Sequence, residues 1–230
     1  EQISDENYHM GDDCIKIEQN KHEAIAYFEN GKKKRSDLII IANGIKSDLR
    51  SYVDKSAQPQ YAEYVGWRGV VNEVEISDKS LDTLSNYFII VLPQNQQIAC
   101  YPIAGEGENP FEIGKRRINW IWYKPIPTKL LKELLLGKSG QQYEDGIPPK
   151  EIRQEVISDL FKEAENNLPP QLIELVKATQ QPLIQPIFDL ESIKMHNGRV
   201  VTIGDAAFTA RPHVGMGVTK AAMDAFKLSE

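Results

Sequence analysis

Arg199-Val-Val-Thr-Ile-Gly-Asp-Ala-Ala-Phe208, followed by Arg211-Pro212-His213-Val214-Gly215-Met216-Gly217-Val218, is the stretch on which the fold turns. A short, largely β-branched run delivers Gly204 and Asp205 to the carboxyl end of a strand, where α/β proteins place ligands. There the Asp205 carboxylate can accept hydrogen bonds from polyol hydroxyls, and Gly204 lets backbone approach closely. Pro212 stiffens the following loop. Gly215 and Gly217 leave backbone N–H groups uncovered where an amphipathic helix is predicted near residues 217–228, a position that favours negative charge.

A second strand-turn unit lies far upstream. Leu38 to Ile41 is a continuous aliphatic run, predicted to be a strand buried on both faces of a parallel sheet, and it leads into Ala42-Asn43-Gly44. Before it, Cys14–Ile17 and Ala24–Phe28 alternate as a small β-meander. The basic run Lys32-Lys33-Lys34-Arg35 follows the Asn30-Gly31 turn signal and is expected at a solvated hairpin tip. From Tyr61 the texture changes to strands at 64–74, 87–92, 97–103 and 117–123, an antiparallel sheet. Helical periodicity follows at 128–136, 150–164 and 168–179, entered at Pro148-Pro149 and Pro169-Pro170. A further strand is expected at 183–190. The predicted class is α/β, with one discontinuous domain (1–58 and 183–230) flanking a sheet-plus-helices domain (59–182).

The bulk properties exclude several classes. Twenty-seven basic and 33 acidic side chains give a net charge of −6 over 230 residues, with neither sign gathered into the patch that a nucleic-acid binder shows. No stretch of eighteen apolar residues exists, so no membrane span is expected. The two cysteines, Cys14 and Cys100, are too few for a disulfide framework, which fits a reducing, cytoplasmic setting. No metal-ligand spacing stands out.

The terminal stretch resembles the second FAD fingerprint of the p-hydroxybenzoate hydroxylase-like family of FAD-dependent aromatic monooxygenases: strand-Gly-Asp-Ala-Ala, then Pro and a glycine-containing helix start. That resemblance implies that Asp205 binds the ribitol and that Gly204, Pro212 and the amides of Gly215, Met216, Gly217 and Val218 face the flavin ring. Asp37-Leu-Ile-Ile-Ile-Ala-Asn43-Gly44-Ile-Lys-Ser47-Asp-Leu-Arg50 is similar to the family's middle fingerprint, which contacts FAD and the nicotinamide cofactor, so Asn43, Gly44 and Arg50 become cofactor-binding candidates. Asn43 stands where the family has Asp; it keeps an acceptor oxygen and loses the charge. The central segments 61–71 and 117–123, with Arg211-Pro212-His213, look most like the 2,6-dihydroxypyridine hydroxylase branch. In that family the central sheet covers the flavin and forms the substrate pocket, which makes Tyr64, Trp67 and Trp122 candidate lining residues. Adjacency to the flavin motif makes His213 the candidate group to hydrogen-bond or deprotonate a ring hydroxyl.

The resemblance implies an incomplete Rossmann-like FAD-binding domain, with FAD and NAD(P)H as cofactors, a small aromatic substrate and O2 as co-substrates, and is compatible with a homodimer. The family's opening Gly-x-Gly-x-x-Gly unit is missing from the sequence, which begins at Glu1, so a C-terminal fragment of the enzyme is expected. Two alternatives stand beside this reading: a non-catalytic flavin-binding remnant, and a flavin-dependent halogenase suggested by Trp120-Ile-Trp122-Tyr-Lys124-Pro125. Lys124 replaces the Ile of the halogenase signature, and a strand with same-face tryptophans explains the run as well. Gly137-Lys138-Ser139 ends like a phosphate-binding loop, but Lys132 occupies the position of the required first glycine.

Overall fold

The computed structural model describes residues 4–230. In chain order its regular elements are β1 (Cys14–Gln19), β2 (Ala24–Phe28), β3 (Lys33–Ser36), β4 (Ile39–Ile41), β5 (Gln60–Asn72), α1 (Asp78–Leu84), β6 (Ile89–Val91), β7 (Gln97–Ile103), β8 (Arg117–Pro125), α2 (Thr128–Leu134), α3 (Gln154–Asn167), α4 (Pro170–Ala178), β9 (Leu183–Glu191), β10 (His196–Asn197), β11 (Val200–Thr202), β12 (Phe208–Thr209) and α5 (Gly217–Ser229). They form two compact units: the residues up to Gln60 with Phe188–Glu230, and Tyr61–Ile187. Among the described residues no helix is long and apolar enough to cross a membrane.

In the first unit β1, β2 and β3 form an antiparallel meander. The Asn20 side-chain oxygen accepts from the backbone N–H of His22 and Glu23, at 2.7 and 3.1 Å, and closes the first turn. The basic run is not the hairpin tip its composition suggested. Gly31 adopts a φ of 83° and makes the turn, and Lys33–Ser36 form a third strand exposed along its whole length. β4 pairs in parallel with β11, Ile39 opposite Val200 and Ile41 opposite Thr202, and β10 adds antiparallel to β11. Ile17, Ile41, Val53, Val200 and Ala206 form the core here. The expectation that Leu38–Ile41 is buried on both faces fails: alternation turns Ile41 inward, whereas Ile40 stays 48% exposed.

The second unit holds the strand order β9-β5-β8-β7-β6, with β5, β8, β7 and β6 joined antiparallel. Val65, Trp67, Ile98, Cys100, Ile118, Trp120 and Trp122 share one face and pack with Leu131, Leu160, Ala164, Leu172 and Leu175 of α2, α3 and α4. Trp120 donates its indole N–H to the Thr179 hydroxyl at 2.8 Å, so this fully buried ring keeps its polar atom satisfied, whereas the Trp122 indole N–H makes no hydrogen bond. α3 begins later than predicted because Pro149–Glu151 form a separate 3-10 turn and Arg153 is extended. α1 is absent from the sequence reading; Glu174 of α4 anchors its start by accepting from the Ser77 N–H and hydroxyl, at 2.7 and 2.8 Å.

Candidate functional site

Two strand ends meet in the first unit because β4 and β11 run parallel. Gly204, two residues beyond β11 and first in the 3-10 turn Gly204–Ala206, takes a φ of 58°, a left-handed conformation that side chains with a Cβ adopt at a cost. Its N–H donates to Asp224 of α5 at 2.8 Å, and Lys220 donates to its carbonyl at 3.2 Å while pairing with Asp224 at 2.5 Å. The helix therefore holds the turn in place. Asp205 next to it is exposed. At the end of β4, Asn43 is exposed and Gly44 has a φ of 82°.

Arg50 departs from its expected role. Its guanidinium is buried and donates to three backbone carbonyls: Ala57 at 3.3 Å, Ala206 at 3.2 Å and Ile45 at 2.9 Å. Burial pulls its pKa below the ordinary value, with Asp48 opposing. Arg50 thus ties the Asn43-Gly44 turn to the Gly204-Asp205 turn from inside and is a brace rather than a ligand-facing group. The Ser47 hydroxyl oxygen close by is buried and makes no hydrogen bond.

The third part is the loop into α5. Pro212–Val214 make a 3-10 turn, and Gly215, at a φ of 71°, reverses the chain into Met216 and the helix. No side chain caps α5, and the added Cβ of an alanine at Gly217 would meet nothing within 4 Å, so its first-turn amides, including Val218, open to solvent. Arg211 anchors the loop through a two-pronged pair with Asp189, 2.8 Å from Nε to Oδ1 and 2.5 Å from Nη2 to Oδ2. That hydrogen bonding, with smaller electrostatic help from Arg211 and His213, holds the Asp189 carboxyl below the usual range against a modest burial penalty. His213 is exposed in the same loop. An open cleft of about 660 Å³ lies alongside, bordered by Asp189, Arg211, Phe208 and Val214. Asp189, Lys220 and Asp224 are absent from the sequence reading. A carboxylate inside the apolar run Pro186-Ile-Phe-Asp189-Leu was the available signal for Asp189.

In the second unit the three aromatic candidates do not share a face. Trp67 sits opposite Trp122 in register, and both point to the helix-covered side, where Trp122 is wholly enclosed. They are core residues, so a single pocket lined by Tyr64, Trp67 and Trp122 is corrected to Tyr64 alone on the other side. There Tyr64 meets Tyr123 edge to face, with centroids 6.0 Å apart, beside Gly66 and Arg68, and Arg68 donates to Gln185 at 3.2 Å. Burial pushes the Tyr123 phenol up to about 12, with Arg68 pulling it down. Tyr101, stacked on Phe88 with centroids 5.0 Å apart, lies on the same face. Lys124 continues the Trp120-Trp122 side, so the halogenase-like run is one face of a core strand.

A family described as FAD binding domain-like matches residues 61–189, more than half of the sequence. The chain belongs to the FAD binding domain-like family. Among curated members of this kind, the 2,6-dihydroxypyridine 3-monooxygenase of Paenarthrobacter nicotinovorans is 28% identical over 228 residues, covering 98% of this chain and 55% of that protein. Salicylate hydroxylase of Pseudomonas putida is 26% identical, over 96% of this chain and 48% of that one. The chain spans about half the length of the curated relatives it matches. The solved 2,6-dihydroxypyridine-3-hydroxylase from Arthrobacter nicotinovorans superimposes with a TM-score of 0.86 at 27% identity, over 98% of this chain and 56% of that one. Klebsiella pneumoniae HpxO, solved with FAD and uric acid, shares the fold with a TM-score of 0.69 at 24% identity. This FAD binding domain-like chain therefore has the mixed α/β fold of FAD-dependent monooxygenases.

Proposed function

We propose that the protein to which these residues belong is an FAD- and NAD(P)H-dependent monooxygenase that places one oxygen atom of O2 on an electron-rich aromatic or N-heteroaromatic ring. The observation that carries this reading is the joining of the two strand-end turns, Asn43-Gly44 and Gly204-Asp205, by Arg50, beside a helix whose first amides are open. The 2,6-dihydroxypyridine, salicylate and urate named for the relatives are oxygen-bearing rings, which supports that substrate class.

The residues present fit a flavin. Asp205 offers an exposed carboxylate for ribitol hydroxyls, and the left-handed Gly215 with Gly217 keeps Cβ atoms away from the amides of Met216, Gly217 and Val218. Gly204, Pro212 and Asn43 shape the surrounding turns. When bound, the flavin supplies the redox chemistry, with NAD(P)H as reductant. The chain's own contribution is to bind and orient, and to His213, exposed in the loop that Arg211 fixes to Asp189, we assign the acceptance of a proton from a ring hydroxyl. We assign 1–58 and 183–230 to cofactor binding and 59–182 to the substrate side. There the open sheet face with Tyr64, Arg68 and Tyr123 is the surface for an aromatic ring, and Trp67 and Trp122 stiffen it from behind. A cytoplasmic location accords with two free cysteines, and a homodimer rests on the resemblance alone.

The test is spectroscopic. Purified full-length protein should show visible flavin bands that bleach on NAD(P)H addition faster when a dihydroxypyridine is present, and Asp205→Ala should weaken flavin retention at least about tenfold, the loss expected for a charge-assisted contact. A full-length protein that takes up no FAD would sink the reading in favour of a non-catalytic remnant.

A further inference from the structure

The open face of the second unit's sheet carries an amide that the fold leaves unused. Along β8, Ile118, Trp120 and Trp122 pack into the helix-covered core, so alternation turns Asn119, Ile121 and Tyr123 to the opposite face. Asn119 is only 8% exposed, yet among the described residues its side-chain amide makes no hydrogen bond, and neither amide atom is sealed from solvent. Polar groups this deeply set are normally paired, so an amide left over calls for a partner from outside the chain. In register, Asn119 stands between Val70 of β5 and Tyr101 of β7, and Ile121 stands between Arg68 and Ala99. Ile90 of β6 lies beyond Ala99, and Phe88 stacks on Tyr101. Ala99 is buried, whereas Val70, Phe88 and Ile90 are exposed, so a small side chain and a recessed amide are bordered by apolar ones that stand higher. The Tyr123 phenol is within electrostatic reach of both Arg68 and Tyr101, which puts these polar groups on the same stretch of the face.

We propose that Asn119 is a specificity-determining residue of the substrate face and reads the N–H/C=O edge of an N-heteroaromatic ring in its lactam form. The inference rests on the monooxygenase reading above and narrows its substrate class. A primary amide presents an acceptor oxygen beside N–H donors. A pyridine with a hydroxyl next to its ring nitrogen tautomerises to a pyridone, whose ring N–H and carbonyl lie side by side in the complementary order. Asn119 Oδ1 accepts from the ring N–H while Nδ2 donates to the ring carbonyl, the two-bond pattern by which Asn recognises adenine. The apolar border and the stacked Tyr101 and Phe88 rings suit one planar ring. A carbocyclic phenol offers a single hydroxyl at that point and leaves half of a recessed amide unpaired, which weakens its binding.

The experiment compares two rings of one shape on the full-length protein by anaerobic calorimetry: 2,6-dihydroxypyridine, and resorcinol, which keeps both oxygens and has C–H in place of the ring nitrogen. Wild type should bind the pyridine about thirtyfold more tightly, the discrimination expected of one good two-bond amide pair. Asn119→Leu, close in shape and without polar atoms, should cut that ratio to about threefold or less, through weaker pyridine binding. Because the amide has no partner within the fold to lose, this variant should unfold at the wild-type urea concentration or above it. Asn119→Asp keeps an acceptor and loses the donor, so its ratio should fall between the two. A wild-type ratio near unity would overturn the proposal, as would an Asn119→Leu ratio equal to that of wild type. Flavin bleaching by NAD(P)H is read separately: pyridine-stimulated bleaching in wild type, with the ratio unchanged in Asn119→Leu, sinks the Asn119 assignment and leaves the monooxygenase reading standing.

Discussion

Trp120 and Trp122 are wholly enclosed in the second unit, where α2, α3 and α4 all contribute side chains to one core. In the first unit the core is Ile17, Ile41, Val53, Val200 and Ala206, and α5 buries no side chain. What the first unit lacks in apolar burial it replaces with polar cross-links. Arg50 reaches Ala206, Asp54 accepts from the N–H groups of Ile193 and Lys194 at 2.8 and 3.3 Å, and Gln19 bridges Asn197 and Arg199 at 3.0 and 2.7 Å. Buried area is non-directional, whereas such bonds fix where the strand ends stand. The difference places rigidity of scaffold in one unit and precision of placement in the other.

The largest expected break is Trp120→Ala, which removes a fully buried ring and the indole N–H that the Thr179 hydroxyl oxygen accepts. It should cost about 4 kcal/mol by urea unfolding while leaving flavin uptake by folded protein intact. Arg50→Met should cost less, about 3 kcal/mol for three buried carbonyls stripped of a charged donor, yet should abolish flavin uptake. If Arg50→Met lost stability without loss of uptake, the brace would be merely structural. Gly204→Ala puts a Cβ 3.5 Å from that of Ala221, an ordinary contact, so its cost of about 1–2 kcal/mol should come from the φ of 58°.

The smallest effect is a pH dependence. The Ser56 hydrogen bond first, then backbone N–H groups including those of Ile193 and Lys194, hold Asp54 at about 2, below its ordinary 3.8. A depressed carboxylate contributes stability above the ordinary value and loses it as pH falls through the folded one. Stability should therefore decline from about pH 5 to pH 2, and Asp54→Asn should flatten that part of the curve. An unchanged slope would remove Asp54 from the set of cross-links.

Several elements were legible because local chemistry fixes them. The glycine-led start of α5, the strand at 97–103 and the turns at Gly44 and Gly204 follow from residue type and spacing alone. Others were hidden for physical reasons. Period-two alternation reveals that Trp120 and Trp122 share a face, but neither the register that sets Trp67 opposite Trp122 nor which face the helices cover, so Trp67 and Trp122 were read as pocket. Arg50 in a fingerprint looks like a cofactor contact because sequence does not show that three carbonyls enclose it. Asp189 and Arg211 are 22 residues apart, and only the fold makes them partners.

Arg50 and Ala206 are 156 residues apart, and the parallel pairing of β4 with β11 spans a similar interval. During translation at about 5–20 residues per second, β4 leaves the ribosome roughly 8–30 s before its partner strand exists. All of Tyr61–Ile187 emerges within that interval. The inserted unit therefore has time to fold first, and the early strands wait for Phe188–Glu230, with β11 and α5, to arrive as their partners.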